Sequence, residues 1–599
     1  MCGIVGGMYF ENNSANAAKL ERAVTLLHHR GPDEFGIHMV NNVGLGHARL
    51  SIIDLSGGKQ PLRNADGNLH LVANGEIYNY IEVVEKYPNV SKNSLSHSDS
   101  EAILQVYEER GISGITELNG MFAFALYDER EDVLILARDR LGIKPLYYCQ
   151  TSEGIFYASE IKALLPLMNI TPEINSDALV QFLLHQFSTG RDTIFKDIKR
   201  ILPGEYLTIR NREIHHHIYW DLKNVQSRDI SLEEAFEEFE PLLRKVMNEH
   251  IRSDVPFGLF LSGGIDSSIL LAELSKLHSH DLKTYSIGFT GTNMKDELDA
   301  ATILAKKFGT DHVPIRVSRE DLFGRIVHSI WASDDLMRDY ASLPTLALSE
   351  AAAQDVKVVF SGEAGDEAFA GYRRYAPSIP RWINHRILGR GVRTQSQWKA
   401  FAEEAILTPS LKSINPRAPF EALWNSTPAD WSLMKKRQFV DVRAALVDNL
   451  FVKTDRMMMA YGLEGRVPLA DHRIVEFGFS LPDKLKYRNN LGKWILRQWA
   501  EKYLPKDHLR KPKRGFYVPV TEWLQGSFAD NLGQKLLQNK AIQTWMDIEG
   551  VKQVIAAHKQ GKNYSRELFC LMQFAIWHRL FIEKPGVVPS KNENPLEWV

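Results

Sequence analysis

The chain has 599 residues, too many for one domain of ordinary size, so two or more are expected. Its 44% apolar and 24% charged residues are those of a soluble globular protein, and a net charge of −2 excludes the electrostatic footprint of nucleic-acid or anionic-membrane binding. No apolar run approaches the ~18 residues of a membrane span, and no basic stretch precedes an apolar one at the start, so neither a span nor a signal peptide is expected. Cys2, Cys149 and Cys570 are too few and too scattered for a disulfide framework or a zinc site, which leaves a reducing, cytoplasmic compartment as the default.

The chain opens Met1-Cys2-Gly3-Ile4. Loss of Met1, which the small side chain of Cys2 permits, would place a thiol beside its own free amine. An α-amine has a pKa near ~7.7–8.0, so at neutral pH a useful fraction can take the thiol proton. That is an N-terminal nucleophile arrangement. On its own, Cys2 reads equally well as an incidental residue. A helix is predicted from about Ala17 to His28, where the pair His28-His29 suits the end of the helix dipole. HRGPDEFG (29–36), GHARLSIIDL (46–55), NGEIYN (74–79) and SHSDSE (96–101) follow, with a helix from about Ser100. Residues 119–148 alternate as strands, and 154–164 add a strand leading into a helix. Such a strand-rich block fits an α+β layered domain. His215-His216-His217 looks like a metal site, but strand neighbours face opposite sides, so a polar strand or loop is the better reading.

After Trp220-Asp221-Leu222 the chain is polar to about Asp229, which reads as a linker, and Leu232 begins a helix leading towards Val255. Val255 to Leu261 is short and apolar, as a buried strand is, and Leu270, Leu274 and Leu277 recur at helical spacing behind it. The turn between them is LSGGIDSS, Leu261 to Ser268. Gly263 and Gly264 allow a sharp turn and close approach to a ligand; Ser262, Ser267 and Ser268 supply hydroxyls; the helix N-terminus supplies N–H groups. A bare helix cap is the plainer alternative to an anion cradle. Asp266 stands where phosphate would sit, which makes sense if Mg2+ bridges the two. The lysine of the GxxxxGK[ST] loop is missing.

Strands 284–289, 312–317 and 356–360 alternate with helices 297–308, 321–331 and 344–353, the pattern of a parallel sheet with right-handed crossovers. Ligands bind beyond the carboxyl ends of such strands. The last strand runs into SGEAGDEAFAGYRRY (361–375), which carries Glu363, Asp366 and Glu367. Mg2+ takes one or two protein carboxylates plus phosphate oxygens, and Asp266 and Asp366 would supply them. Residues 381–440 read as helical. Residues 451–471 gather Lys453, Asp455, Arg456, Glu464 and Arg466 around a methionine run suited to a core. Lys493 opens a predicted helix, where a cation is out of place unless an anion such as phosphate lies near. Residues 511–520 form a basic Gly-Phe turn, and the Pro- and Asn-rich tail from about Lys584 is expected to be poorly ordered.

LSGGIDSS resembles the pyrophosphate loop of the ATP pyrophosphatases, which cleave ATP between the α and β phosphates. Cys2 with the four N-terminal segments resembles the class II glutamine amidotransferase domain. Joined in one chain, over about residues 1–520, they resemble the glutamine-hydrolysing asparagine synthetase family. The resemblance implies an α+β N-terminal nucleophile (Ntn) hydrolase sandwich at 2–210, an α/β parallel-sheet ATP-pyrophosphatase domain with a helical C-terminal part at 225–585, and a tail at 586–599. It implies Cys2 as nucleophile, Asn74 and Gly75 as oxyanion hole, and Arg49, Asn74, Glu76 and Asp99 as the glutamine site. It implies ATP contacts from Phe260, Ser262, Gly263, Gly264, Asp266, Ser267, Ile287, Ser361 and Gly362, Mg2+ on Asp266 and Asp366, and Glu363 with Lys493 as the catalytic pair of the second site. The implied partners are glutamine, ATP and aspartate or another carboxylate, with no nucleic acid or membrane and with a homodimer as an allowed assembly.

Ammonia from the first site would cross an internal tunnel to a carboxylate activated as its adenylate. Some positions depart from the family pattern. Gly465 stands where alanine is usual, Leu469-Ala470 replaces Phe-Leu, and the segment SDDLMRDYASLPT (333–345) keeps Ser342 and Pro344 in unfamiliar surroundings. These changes bear on the acceptor, so an amidotransferase acting on a sugar acid, a peptide or another carboxylate stands beside asparagine synthesis. Glucosamine-6-phosphate synthases and phosphoribosyl-pyrophosphate amidotransferases share the glutaminase half but lack an SGGxDS domain.

Overall fold

A computed structural model of the chain describes residues 2–11, 15–168, 172–277, 282–292, 297–376, 406–510 and 518–599. Strand alternation builds the N-terminal unit. In Cys2–Tyr9, Ile4 and Met8 enter one core while Val5 and Tyr9 enter another. This strand lies inside a six-stranded antiparallel sheet ordered Ile198–Arg200, Tyr147–Gln150, Gly154–Ala158, Cys2–Tyr9, Val43–Arg49, Glu34–Val40. A second six-stranded antiparallel sheet runs Glu213–Ile218, Glu205–Arg210, Val133–Arg138, Gly120–Asp128, Leu69–Ile77, Leu62–Arg63. Ile4 and Met8 meet Val72, Ala123, Ala125 and Leu136 between the sheets. Helix Ala15–Thr25 covers one outer face through Leu20 and Val24, and helix Glu101–Arg110 covers the other through Ile103 and Val106. The result is the expected sandwich.

The C-terminal unit is built on a five-stranded parallel sheet ordered Asp311–Val317, Lys283–Phe289, Phe257–Phe260, Val358–Phe360, Glu464–Arg466. Both faces are covered, as an all-parallel sheet requires. Leu259 and Phe360 pack with Ile269 and Leu270 of helix Ile265–Leu277, while Ile287 and Val359 pack with Ile330 and Leu346. Helices and a two-stranded ribbon, Tyr487–Arg488 with Leu491–Gly492, surround it, and no helix among the described residues is long and apolar enough to cross a membrane. The expected helical stretch from 381 lies outside the described residues as far as 405, and the basic turn lies outside them over 511–517.

Three expectations are corrected. The helix expected over 321–331 is two, Arg319–Gly324 and Ile326–Ser333. The break falls where the tail docks: the Gly324 carbonyl accepts the Glu593 N–H at 2.8 Å, and a side chain at Gly324 would strike Asn592. The tail is therefore not loose. Leu596, Trp598 and Val599 pack on the core, and Lys591 sits 4.6 Å over the Tyr461 ring. Its apolar residues Leu596, Trp598 and Val599 are what anchor it. His28-His29 does not close a helix, which ends at Thr25. His29 instead packs at 4.7 Å against Trp331, the rings tilted by 60°, and burial lowers its pKa to about 4 despite Glu160 at 3.1 Å. The triple histidine lies on strand Glu213–Ile218, with His216 bonded to Glu205 at 2.9 Å and His217 stacked on Tyr206.

The two units meet across buried charge. Arg30 is fully buried and donates to the Cys2 carbonyl at 3.0 Å, to Glu160 at 2.8 Å and to Asp455 at 2.8 and 3.2 Å. Arg456 pairs with Glu160 at 2.7 Å and Asp334 at 3.3 Å; Lys162 pairs with Glu160, and Lys144 lies 3.6 Å from Asp455. Helix Val452–Met459 carries Asp455, Arg456 and the buried methionines into this seam. Breaking one partner of a buried pair strands the other. Arg30→Met is expected to cost ~3–5 kcal/mol in urea denaturation; a loss under ~1 kcal/mol would show that the seam behaves like exposed ion pairs.

Candidate active site

The first cluster forms where strand Cys2–Tyr9 begins. Cys2 pairs with Arg49 across the sheet, and the Cys2 N–H donates to Asn74 Oδ1 at 3.0 Å. Asn74 is fully buried, and its Nδ2 is a buried donor with no acceptor in the protein. A buried orphan donor beside a thiol is what a developing oxyanion needs. Gly75 has φ +146, and a Cβ there would lie 2.0 Å from the Met121 carbonyl, so only glycine fits. Burial pushes the Cys2 thiol up; the amino-terminal charge, the Leu50 backbone and Arg49 pull it down.

Arg49 is held by Glu34 at 2.9 Å and the Asp54 carbonyl at 2.6 Å. Asp99 accepts the Ile77 N–H at 2.7 Å, and burial pushes its carboxyl up to about 6. Glu76 is buried on the same strand face as Asn74. All six expected residues thus come from segments that meet around the start of strand Cys2–Tyr9.

The second cluster lies at the carboxyl end of the parallel sheet. Between strand Phe257–Phe260 and helix Ile265–Leu277, Ser262 Oγ accepts the Gly264 N–H at 3.1 Å and lies 3.0 Å from Ser267 Oγ. Gly263 and Gly264 do not take the positive φ that a sharp glycine turn suggests. The need is space: a Cβ on Gly263 would press on Ala300 at 3.0 Å. Strand Val358–Phe360 delivers the other loop. Gly362 lets it lie against Asp266, where a Cβ would come within 2.8 Å, and Gly365 and Gly371 clear room beside Asp266 and Asp366.

Lys493 pairs with Asp266 and, at 2.7 Å, with Asp366. It precedes helix Trp494–Ala500 in a left-handed conformation, φ +56, uncommon for a residue with a side chain. An anion expected near its charge is supplied by this aspartate pair. Two carboxylates converging on one cation are a donor set that also suits Mg2+. Glu363 does not touch Lys493; it accepts from Thr454 at 3.1 Å and Lys453 at 3.4 Å.

A cavity of about 890 Å³ joins these groups. Every residue expected to touch ATP lines it, with Phe260 and Ile287 as its apolar wall and Glu363, Asp366 and Lys493 beyond. The N-terminal unit contributes His185, Gln186 and Phe187, and Asp339, Arg374 and Asp441 complete the far side. His185, Gln186, Phe187 and Asp441 lie in no motif, so nothing local in the sequence marks them; Asp339 and Arg374 fall in the segments 333–345 and 361–375. The segment 333–345 is divided in role. Asp334 and Asp335 bind Arg456 and Arg200 in the seam, whereas Asp339, Pro344 and Thr345 line the cavity and Ser342 opens helix Ser342–Ala352. Gly465 has a packing reason: a Cβ there would meet Met458 Sδ at 2.5 Å.

Comparison with known proteins matches residues 1–220 to the glutamine amidotransferase domain and residues 238–579 to the asparagine synthase family. Glutamine-hydrolyzing asparagine synthetase 1 of Bacillus subtilis is 32% identical, with 100% of each chain covered. A putative glutamine-hydrolyzing asparagine synthetase of Mycobacterium bovis is 30% identical over 99% of each chain. Amidase chyE of Penicillium rubens is 29% identical, over 98% of this chain and 100% of its own.

Lys493 holds the positions a metal would need. Lys493→Met should therefore tighten nucleotide-free Mn2+ binding, followed by electron paramagnetic resonance, by roughly tenfold. Equal affinity in the two proteins would mean that the lysine does not compete for those carboxylates.

Proposed function

The chain belongs to the asparagine synthase family, and from that membership we propose that it makes an amide at two sites, using glutamine at one and ATP at the other. The observation that carries the proposal is the pair of clusters held across one buried seam, with residues of the N-terminal unit in the wall of the second cavity. At the first, the Cys2 thiolate attacks the side-chain carbonyl carbon of glutamine, and Asn74 Nδ2 with the Gly75 N–H receive the oxyanion. Collapse expels ammonia, and water then frees glutamate from the thioester. Arg49 would hold the α-carboxylate, and Glu76 with Asp99 the α-ammonium.

At the second site the acceptor carboxylate displaces pyrophosphate from ATP, giving an acyl-adenylate that ammonia converts to amide and AMP. Ser262, Gly263, Gly264 and Ser267 would cradle pyrophosphate. Mg2+, held by Asp266 and Asp366, would supply charge neutralisation. Lys493, released from those carboxylates, would face the phosphoryl group, and Glu363 would stand at the incoming ammonia. We take the acceptor to be aspartate. Full-length similarity to asparagine synthetases supports this. So does the pairing of Asp339 and Lys453 in one cavity, an anion and a cation complementary to an amino acid. The similarity to an amidase keeps a second reading, another carboxylate as acceptor.

Cys2→Ala should abolish amide formation from glutamine and leave synthesis from ammonium salts largely intact, best seen at mildly alkaline pH, where free ammonia is more abundant. Retained glutamine use would remove Cys2 as nucleophile. An acceptor screen scored by glutamine-dependent AMP release should single out aspartate, and Asp339→Asn should raise the KM for it about tenfold or more. AMP release with a different carboxylate alone would replace aspartate by that acid.

A further inference from the structure

The acidic pocket beside Asn74 is not made by the N-terminal unit alone. Glu76 and Asp99 belong to that unit, but a third carboxylate, Glu464, enters from the edge strand of the parallel sheet and is fully buried. One guanidinium from the same strand serves the group. Arg466 Nε donates to Glu464 at 2.6 Å, and Nη2 lies 3.5 Å from Glu76 Oε2. Main chain fixes Arg466 on two further sides. Its Nη1 donates to the His250 and Arg252 carbonyls, and its own carbonyl accepts the Ser361 N–H at 2.9 Å. Ser361 begins the loop that carries Glu363 and Asp366, so this residue touches both proposed sites.

Three carboxylates act on one another here. Burial pushes the Glu76 carboxyl well up, Glu464 and Asp99 add to that, and Arg466 with the amino-terminal charge pulls it down. Asp99 is raised by burial and by Glu464. Glu464, although buried, is lowered to about 2 by the amino-terminal charge, Arg466 and Lys144. Cys2 and Tyr78 also face Glu76. Arg466 is the guanidinium that reaches Glu76, and an amino acid's ammonium group would be a further cation for Glu76 and Asp99.

We propose that Glu464 and Arg466, on a strand of the second unit, are positioning residues for glutamine: they set how readily Glu76 and Asp99 ionise, and so how well the first unit holds an α-ammonium. This rests on the glutaminase reading above. Loss of the guanidinium removes a charge that lowers the Glu76 carboxyl, and so raises it further. Loss of the Glu464 charge has the opposite effect, because it relieves repulsion on both carboxylates.

The test uses the full-length enzyme, with glutamate release measured against pH and KM separated from kcat. Ammonia-dependent AMP formation on the same samples reports folding. Arg466→Met should raise the KM for glutamine about tenfold at neutral pH. The KM should fall again as pH rises, kcat should move less, and Arg466→Lys should restore part of the loss. Glu464→Gln should shift the acid limb of kcat/KM to lower pH, whereas Arg466→Met shifts it higher. Opposite shifts from two neighbours on one strand are not what general loosening produces. Unmoved limbs, or limbs moving the same way, overturn the proposal. If Arg466→Met loses ammonia-dependent synthesis through misfolding, near-isosteric Glu464→Gln decides alone, and an unmoved limb overturns the proposal. Glutamate release that survives Cys2→Ala would instead sink the glutaminase reading itself.

Discussion

Everything else in this molecule depends on Arg30. A guanidinium with no solvent contact is tolerated only where its charge and donors are met, and Arg30 meets them with groups from both units: the Cys2 carbonyl and Glu160 on one side, Asp455 on the other. The partners are constrained in turn, because Glu160 also holds Arg456 and Lys162, and Asp455 lies near Lys144. Such a network has few alternative arrangements. A shift of one unit against the other would leave several buried charges unmatched at once. The backbone of the proposed nucleophile is thereby anchored to a helix of the unit that binds ATP.

The second site obeys a steric constraint of a different kind. The loop after strand Val358–Phe360 approaches Asp266 and Asp366 more closely than side chains allow, which is why Gly362 and Gly365 stand against Asp266 and Gly371 against Asp366. Lys493 adopts a left-handed backbone and reaches both aspartates, so each carboxylate has a cation of the protein beside it. Strain at one residue is held by packing around it: Ile495 and Leu496, immediately behind, are fully buried.

Several local signals were readable because the chemistry they serve is itself local. LSGGIDSS needs its serines, glycines and aspartate within one strand-to-helix turn, and the structure keeps them there. Cys2 needs only to come first. Most strand and helix identities followed from periodicity, with boundaries up to about three residues out, as at Thr25. The misses share one cause. His29, the tail after Lys584, the split at Gly324 and the partner of Lys493 were each read from their own neighbourhood, and each is decided by a segment far away in the chain: Trp331, Gly324, Asn592 and the two aspartates.

The sequence by itself determined the family, the sandwich followed by a parallel sheet, and the motifs that a phosphate-binding turn and a terminal thiol require. Periodicity and turn chemistry act over a few residues and survive in a linear reading. Only the tertiary structure decided that Arg30 would join Cys2 to Asp455, that Lys493 would rest on Asp266 and Asp366, and that Glu464 and Arg466 would sit beside Glu76. Those contacts pair residues hundreds of positions apart, and what selects them is the cost of leaving a buried charge unmatched, a quantity that exists only once the core has closed.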